Sequence, residues 1–502
     1  MSDGAATVAG VRAGATTGRV LIRGGRDTLL GLVVAVITCA LLFASRGLFR
    51  QDSWLALVAG REIWNSGVPH HDTLTALTAG RDWVDQQWLA QLGIYGLYRL
   101  GGLSLVSAVH VALVSGSLAA AIAIGRRRGT ETSTMLLVLV VGALLVLVPS
   151  LVVRTQPYAY PLFVATVYLL SADSRSSSRR VYWTLPLLVL WANVHGSAAL
   201  GAGMVALRGL TILLERTEDG GRRWRPGAAL IVGAPVALLA TPYGVDAVGY
   251  YRDTLLNPDF NRLVAEWKPV TAVPVAAAVY FTLAGLALWS LGRHPGRLTV
   301  WERTVMLVLL AGGILALRNV VWVELMLLML PVIALGDRGA RTEARPRLNQ
   351  ALALLAAMAV VAALAVDLAR SDRDFERSYP AGVLKAVGRS ANADPTITVF
   401  ADVRFADWLL WHLPQLEGRV AFDARFELQP SGALERLARA LTATGIDWKR
   451  PARGYRLVVL TPSDVKEAAR GFRAEPGRRI LFDDPDGLVV LRSARASLLS
   501  VG

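Results

Sequence analysis

Apolar residues come in long uninterrupted blocks along this chain, separated by short polar joints and one long one. Blocks near 28–45, 103–124, 134–153, 157–171, 183–196, 198–214, 228–241, 273–291, 304–317, 320–336 and 350–367 predict about eleven transmembrane helices. The first, about 18 residues long, makes roughly 27 Å of helix, which just crosses a hydrocarbon core. No clear small-residue cleavage site follows it, so it reads as an uncleaved first helix rather than a signal peptide. The break near His195 reads either as a boundary between two helices or as a kink in one long helix.

The long joint, 46–102, is rich in what hydrocarbon excludes: Asp52, His70, His71, Asp72, Asp82 and Asp85, with Trp54, Trp64, Trp83 and Trp88 between them. Acids and imidazoles interleaved with interfacial aromatics predict a loop folded onto a membrane surface. After the last span the pattern changes again. Short apolar runs at 396–401, 419–422, 455–460, 479–482 and 488–491 read as strands, with helical patterns at 407–413, 433–442 and 463–472 between them. This alternation predicts an α/β domain over 368–495, large enough for its own core. Residues 1–26, without apolar periodicity, read as a disordered cytoplasmic tail, and 496–502 as a second tail.

Composition supports the membrane reading: 54% of the residues are hydrophobic and the mean hydropathy is +0.44. The net charge of +15 would suggest nucleic acid in a soluble chain. Here most of the excess arginine lies in short loops between spans, where it sets topology, and no nucleic-acid partner is implied. With eleven spans, the clusters Arg126–Arg128, Arg175 with Arg179 and Arg180, Arg222 with Arg223 and Arg225, Arg293 with Arg297, and 338–347 all face one side, the cytoplasm. The loop 46–102 and everything after Val366 then lie outside. The single cysteine, Cys39, excludes a disulfide framework and a cysteine metal site. The preference for arginine over lysine points to a GC-rich genome. No P-loop or GxGxxG occurs, and the cytoplasmic loops are too short for a nucleotide site.

Polar motifs at span ends fall on the same outer face as the loop: Arg154 to Pro157, Asn193 to Gly196, Thr241 to Gly244 with Glu266 and Trp267, and Arg318 with Asn319. Asp52 reads as an interfacial helix cap or as a general base beside a lipid-borne substrate. Arg154 and Arg318 read as snorkelling cations or as a phosphate clamp, and His195 as a packing residue or a site residue. His71 and Asp72 suit a divalent metal, but neighbours in an extended segment point to opposite sides, which favours a hydrogen-bonded turn. Asp82 and Asp85, beside Trp83 and Trp88, leave the same choice open.

The segments QDSWLALVAGREIWNSGVPHHDTLTALTAGRDWVDQQWL, RTQP, WANVHG, TPYG, EWKP, WLLWHL and VAFDARFEL, in that order, resemble the GT-C superfamily of integral-membrane glycosyltransferases. That superfamily includes the protein O-mannosyltransferases and the lipid A aminoarabinose transferases. The resemblance implies a GT-C-like helical bundle over 27–367 and an extracytoplasmic tail domain. It also implies inverting transfer of a sugar from a polyprenyl-phosphate donor to a glycan, lipid or protein acceptor of the cell envelope. It places Asp52 as catalytic base, with Arg154, His195 and Arg318 at the donor phosphate. Ser53 departs from the acidic pair often found there, so a second acid or an acceptor contact falls to Asp72, Asp85 or Glu266. Two readings from other classes compete: a transporter or lipid flippase, and a non-catalytic envelope scaffold.

Overall fold

The structure, a computed structural model, describes residues 26–215, 223–255, 257–331, 333, 346–430 and 432–493. The tails expected at 1–26 and 496–502 lie outside these residues, apart from Arg26, and so do Arg222 and most of the 338–347 cluster. Helices form at every predicted apolar block: α1 (Arg26–Ala44), α3 (Trp88–Arg127), α4 (Thr132–Ser150), α5 (Tyr160–Arg175), α6 (Thr184–Val194), α7 (Ala198–Leu214), α8 (Trp224–Leu239), α11 (Pro274–Arg293), α12 (Val300–Leu315), α13 (Val320–Met329) and α14 (Pro346–Leu368). Five of these segments, in α1, α3, α4, α11 and α14, are long and apolar enough to cross a membrane by length and composition. Between α6 and α7 the helix ends at Val194 and restarts at Ala198, so His195 sits in a true break.

The long loop is itself helical. It contains α2 (Gln51–Ser66) and the first turns of α3, which runs past the expected boundary and bends at Gly101 and Gly102. Gly102 holds φ +67°, and a Cβ there would lie 2.7 Å from the Asp372 carboxylate. The same carboxylate accepts the Leu103 N–H at 2.8 Å, restarting the helix after the bend. Two surface helices, α9 (Asp246–Leu255) and α10 (Pro258–Leu263), follow α8.

The tail carries α15 (Asp372–Phe375), α16 (Ala381–Ala393), α17 (Val403–His412), α18 (Ala433–Thr442) and α19 (Lys466–Arg473) around a four-stranded sheet. The strands are β1 (Val399–Ala401), β2 (Leu457–Leu460), β3 (Arg479–Asp484) and β4 (Gly487–Leu491), in the order β1-β2-β4-β3. The β1–β2 pair is parallel and the other two are antiparallel. The run 419–422, expected as a fifth strand, makes only single bridges because the chain turns after it. Val420 bridges Val399 on one side and Thr75 of the long loop on the other. Ala76 and Leu77 donate to Val420 and Ala421 at 2.8 and 3.0 Å.

Long loop and tail therefore share a core, while the tail keeps a second one of its own around Phe400, Phe422, Val458 and Phe472. Leu48, Trp54, Leu57, Leu74 and Trp83 from the loop pack with Phe375, Tyr379, Val399, Trp408 and Leu409 from the tail. Trp54 is fully buried and meets Tyr379 edge-on at 5.6 Å. Arg61 of α2 donates at 2.8 Å to the carbonyls of Leu410 and Trp411, satisfying the end of α17. The bundle has a separate apolar core. Its members differ chiefly by packing, since lipid is as apolar as they are. One acid interrupts that core: Glu324 of α13 is fully buried against Gly142 of α4, with both oxygens unpartnered.

Candidate active site

The position of Asp52 is set by how α2 begins. Arg50 is extended, and its N–H donates to Ser53 Oγ at 3.1 Å. Ser53 Oγ in turn donates to the Val153 carbonyl at 2.6 Å, while the Val153 N–H donates to Leu48 at 2.8 Å. Ser53 is fully buried in this joint, where a second carboxylate would face carbonyl oxygens. The departure from an acidic pair thus has a local cause. Asp52 is not the helix cap; it lies in the first turn, where the helix N-terminus favours a carboxylate.

Because Val153 is pinned to this joint, the next residue, Arg154, meets Asp52: Nη1 lies 3.7 Å from Oδ2. Arg154 also donates to Glu266. Its own side chain is 8% exposed, whereas Asp52 and Glu266, at 45% and 42%, face a cavity. Burial in the cavity wall pushes the Asp52 pKa up and Glu266 adds to this, while Arg154 and Arg318 oppose it. Burial alone would raise Glu266 too, but its closer contact with Arg154, and then Arg318, holds it below the usual range. One arginine therefore serves two unequal acids: Glu266 is the fixed counterion and Asp52 the more basic group.

The cavity has a volume of about 750 Å³ and is lined by Asp52, Arg154, His195, Glu266, Trp267 and Arg318 among others. Space of this size accommodates a sugar with its phosphate. The three cations expected at a phosphate are not equivalent. Arg154 is neutralised by its two carboxylates. Arg318 lies 4.6 Å over the Trp267 ring with no carboxylate within salt-bridge distance among the described residues. His195 accepts the Ser197 N–H at Nδ1 (3.1 Å), which leaves the proton on Nε2.

The sequence Asp85-Gln86-Gln87-Trp88 fastens the long loop across this cavity. Gln87 accepts from Thr155, Gln86 donates to Tyr250 of α9, and Trp88 Nε1 donates to Asn193 Oδ1 at 2.8 Å. Asp85 braces the turn by accepting the Gln87 N–H at 3.2 Å, and its other oxygen is buried without a partner. It stands behind the cavity wall rather than in it. Burial pushes its pKa up to about 7, against the Gln87 bond. The folded state thus holds a proton that the unfolded chain releases near pH 4, and stability falls as pH rises from about 4 to 7. Asp85→Asn keeps the Gln87 bond and removes this cost. Thermal melts of the variant are expected to exceed wild type by more at pH 8 than at pH 5.

Asp72 is placed elsewhere than the cavity. It accepts from Leu74 N, Thr75 and Thr78, and pairs with Arg425 of the tail at 2.6 Å. Burial would raise it, but Arg425 and the two hydroxyls hold it below its ordinary value. Arg425 also binds Asp423 and lies 4.3 Å over Trp83. Asp72 therefore joins tail to loop and is not a second acid of the cavity. His71 pairs at the surface with Asp82 at 3.1 Å while Asp72 turns inward, so the two cannot share an ion. No group of three metal-ligating acids, histidines or cysteines occurs among the described residues. Arg425→Ala leaves two buried carboxylates uncompensated and is expected to cost about 3–5 kcal/mol, read from equilibrium unfolding.

Among the lining residues that sequence reasoning did not single out are Tyr250, and Glu427 from the tail. Glu427 is within the fragment VAFDARFEL, where its neighbours look like one more amphipathic turn.

No protein-family model matches the chain, and no curated protein sequence matches it. Among solved structures it is similar to ArnT from Cupriavidus metallidurans bound to undecaprenyl phosphate, at 13% identity and a TM-score of 0.52, covering 94% of this chain and 98% of that one. It is also similar to the archaeal oligosaccharyltransferase AglB from Archaeoglobus fulgidus, in complex with an inhibitory peptide and a dolichol-phosphate, at 12% identity and a TM-score of 0.53, covering 89% of this chain and 71% of that one. The chain shares the fold of these two proteins over most of its length.

Proposed function

We propose that this protein is a glycosyltransferase of a bacterial plasma membrane that moves a sugar from a polyprenyl-phosphate donor to an acceptor hydroxyl of the cell envelope. The observation that carries the reading is one cavity holding a basic carboxylate, Asp52, together with a cation, Arg318, that forms no salt bridge among the described residues. The lipid phosphates named with the two similar proteins support a lipid-phosphate donor. The arginine distribution supports about eleven spans with the N-terminus in the cytoplasm and the tail outside.

In the reaction, the acceptor oxygen attacks the anomeric carbon and its proton passes to Asp52. The bond from that carbon to the phosphate oxygen breaks with its electron pair, and polyprenyl phosphate leaves from the opposite face. Negative charge grows on the phosphate as this bond breaks. Arg318, and the Nε2–H of His195, then act more strongly on the transition state than on the bound donor. Arg154 acts on Asp52 instead, fixing its orientation while Glu266 keeps the arginine from fully suppressing its basicity.

The stereochemistry tests the reading. A single displacement delivers the product with the anomeric configuration opposite to that of the donor, as read by NMR of the isolated glycoside. A product of retained configuration would contradict it.

A further inference from the structure

The tail reaches the cavity through a short stretch, and its lining residues are Val403, Ala424, Phe426 and Glu427. Glu427 is the ionisable one. The loop that carries it is rigid at every step: Arg425 N–H donates to Asp423 at 2.9 Å, Ala424 N–H to Asp407 at 3.2 Å, and Leu428 N–H to the Arg425 carbonyl at 3.1 Å. The Arg425 guanidinium, the nearest cation in sequence, points away to Asp423 and Asp72 and is stacked on Trp83. Glu427 therefore stands half-buried at the cavity with no ion-pair partner among the described residues.

The cavity is thus asymmetric. Its bundle side offers a cation, Arg318, and its tail side a carboxylate, Glu427, neither of them in a salt bridge among the described residues. A donor phosphate is drawn to the first and repelled by the second. What a carboxylate in a poorly solvated wall lacks is hydrogen-bond donors, and hydroxyl groups supply them without bringing charge.

We infer that Glu427 is the tail's contact with the acceptor, accepting hydrogen bonds from hydroxyls of a polyhydroxylated, glycan-type acceptor and so presenting one of them to Asp52. The inference rests on the transfer reading above. Burial, reinforced by Asp423 and Asp52 and opposed by Arg425, pushes the Glu427 pKa up to about 7, the mark of a carboxylate kept at a cost to the fold. Asp72 then becomes a positioning residue, acting on the acceptor only through Arg425 and the loop.

The test uses the full-length protein in liposomes, a radiolabelled undecaprenyl-phosphate sugar, and a detergent extract of the cell envelope titrated as the acceptor source. For Glu427→Ala, the half-saturating amount of extract is expected to rise about 10- to 100-fold, the size of a lost charge-assisted hydrogen bond. The maximal rate should stay within about threefold, since the group binds without reacting. Glu427→Gln, which keeps one acceptor oxygen, should fall between. Binding of undecaprenyl phosphate, followed by tryptophan fluorescence, should be unchanged, and neither variant should melt below wild type, because an unpaired carboxylate has been removed. An unchanged half-saturating amount in Glu427→Ala, with wild-type transfer intact, would overturn the inference while leaving the transfer reading in place. So would a lower melting temperature with parallel loss of undecaprenyl phosphate binding, which marks a structural role. Failure of the wild-type protein both to bind undecaprenyl phosphate and to transfer would overturn the transfer reading itself.

Discussion

Asp52→Asn is expected to lower glycosyl transfer by about 10²–10⁴-fold, the usual worth of a positioned general base. The protein should remain folded and still bind lipid phosphate. The carboxylate makes one long contact, 3.7 Å to Arg154, and α2 is started by Ser53 rather than by Asp52. Asparagine fills the same space and cannot take the proton. The pH profile should agree. A raised Asp52 pKa means that the base is lost as pH falls through a value above the ordinary 3.8, so the acidic limb of the rate profile belongs above that point. Rates measured from pH 4 to 8 in wild type and in Asp52→Asn check both statements, since the variant's residual rate should lack that limb.

Arg318→Ala carries the second large effect, a loss of about 10²–10³-fold in transfer, comparable to removing one donor from an oxyanion site. Undecaprenyl phosphate should also bind more weakly. Arg318→Lys should recover part of the rate, because a point charge replaces a planar fork. The same substitution at Arg154 is a poorer test. It leaves Asp52 and Glu266 unpaired beside each other, so lost activity would mix with lost stability. For Arg318 the confusion is smaller, because it forms no salt bridge among the described residues and its main neighbour is the face of Trp267.

Much of this was legible in the chain because a bilayer writes its constraint plainly. Apolar blocks with arginine at one set of ends gave the helices of the bundle, though not α2 or α16, and polar groups at the other ends gave Arg154, His195, Glu266 and Arg318, which meet at one cavity. Other features depend on partners far apart in sequence, and local pattern does not carry them. Asp72 reads as a site acid until Arg425, 353 residues away, is placed beside it. The attachment of the tail to the long loop shows only once Val420 is seen bridging Thr75 as well as Val399. Ser53 looked like a missing acid, whereas its neighbours are the carbonyls of Leu48 and Val153. Glu427 escaped for the opposite reason: the property that marks it is the lack of a partner, and sequence does not show that. Glu324, an acid inside an apolar run, was passed over in the sequence, and α4 and α13 enclose it fully.

The most direct measurement is transfer of radiolabel from polyprenyl-phosphate sugars to a membrane extract by the purified protein in lipid, with wild type and Asp52→Asn side by side. The account predicts label moving into an envelope fraction with wild type and not with the variant, at equal binding of undecaprenyl phosphate. Equal transfer by both proteins would remove Asp52 as the base, and a folded wild type that moves label from no donor would contradict the account as a whole.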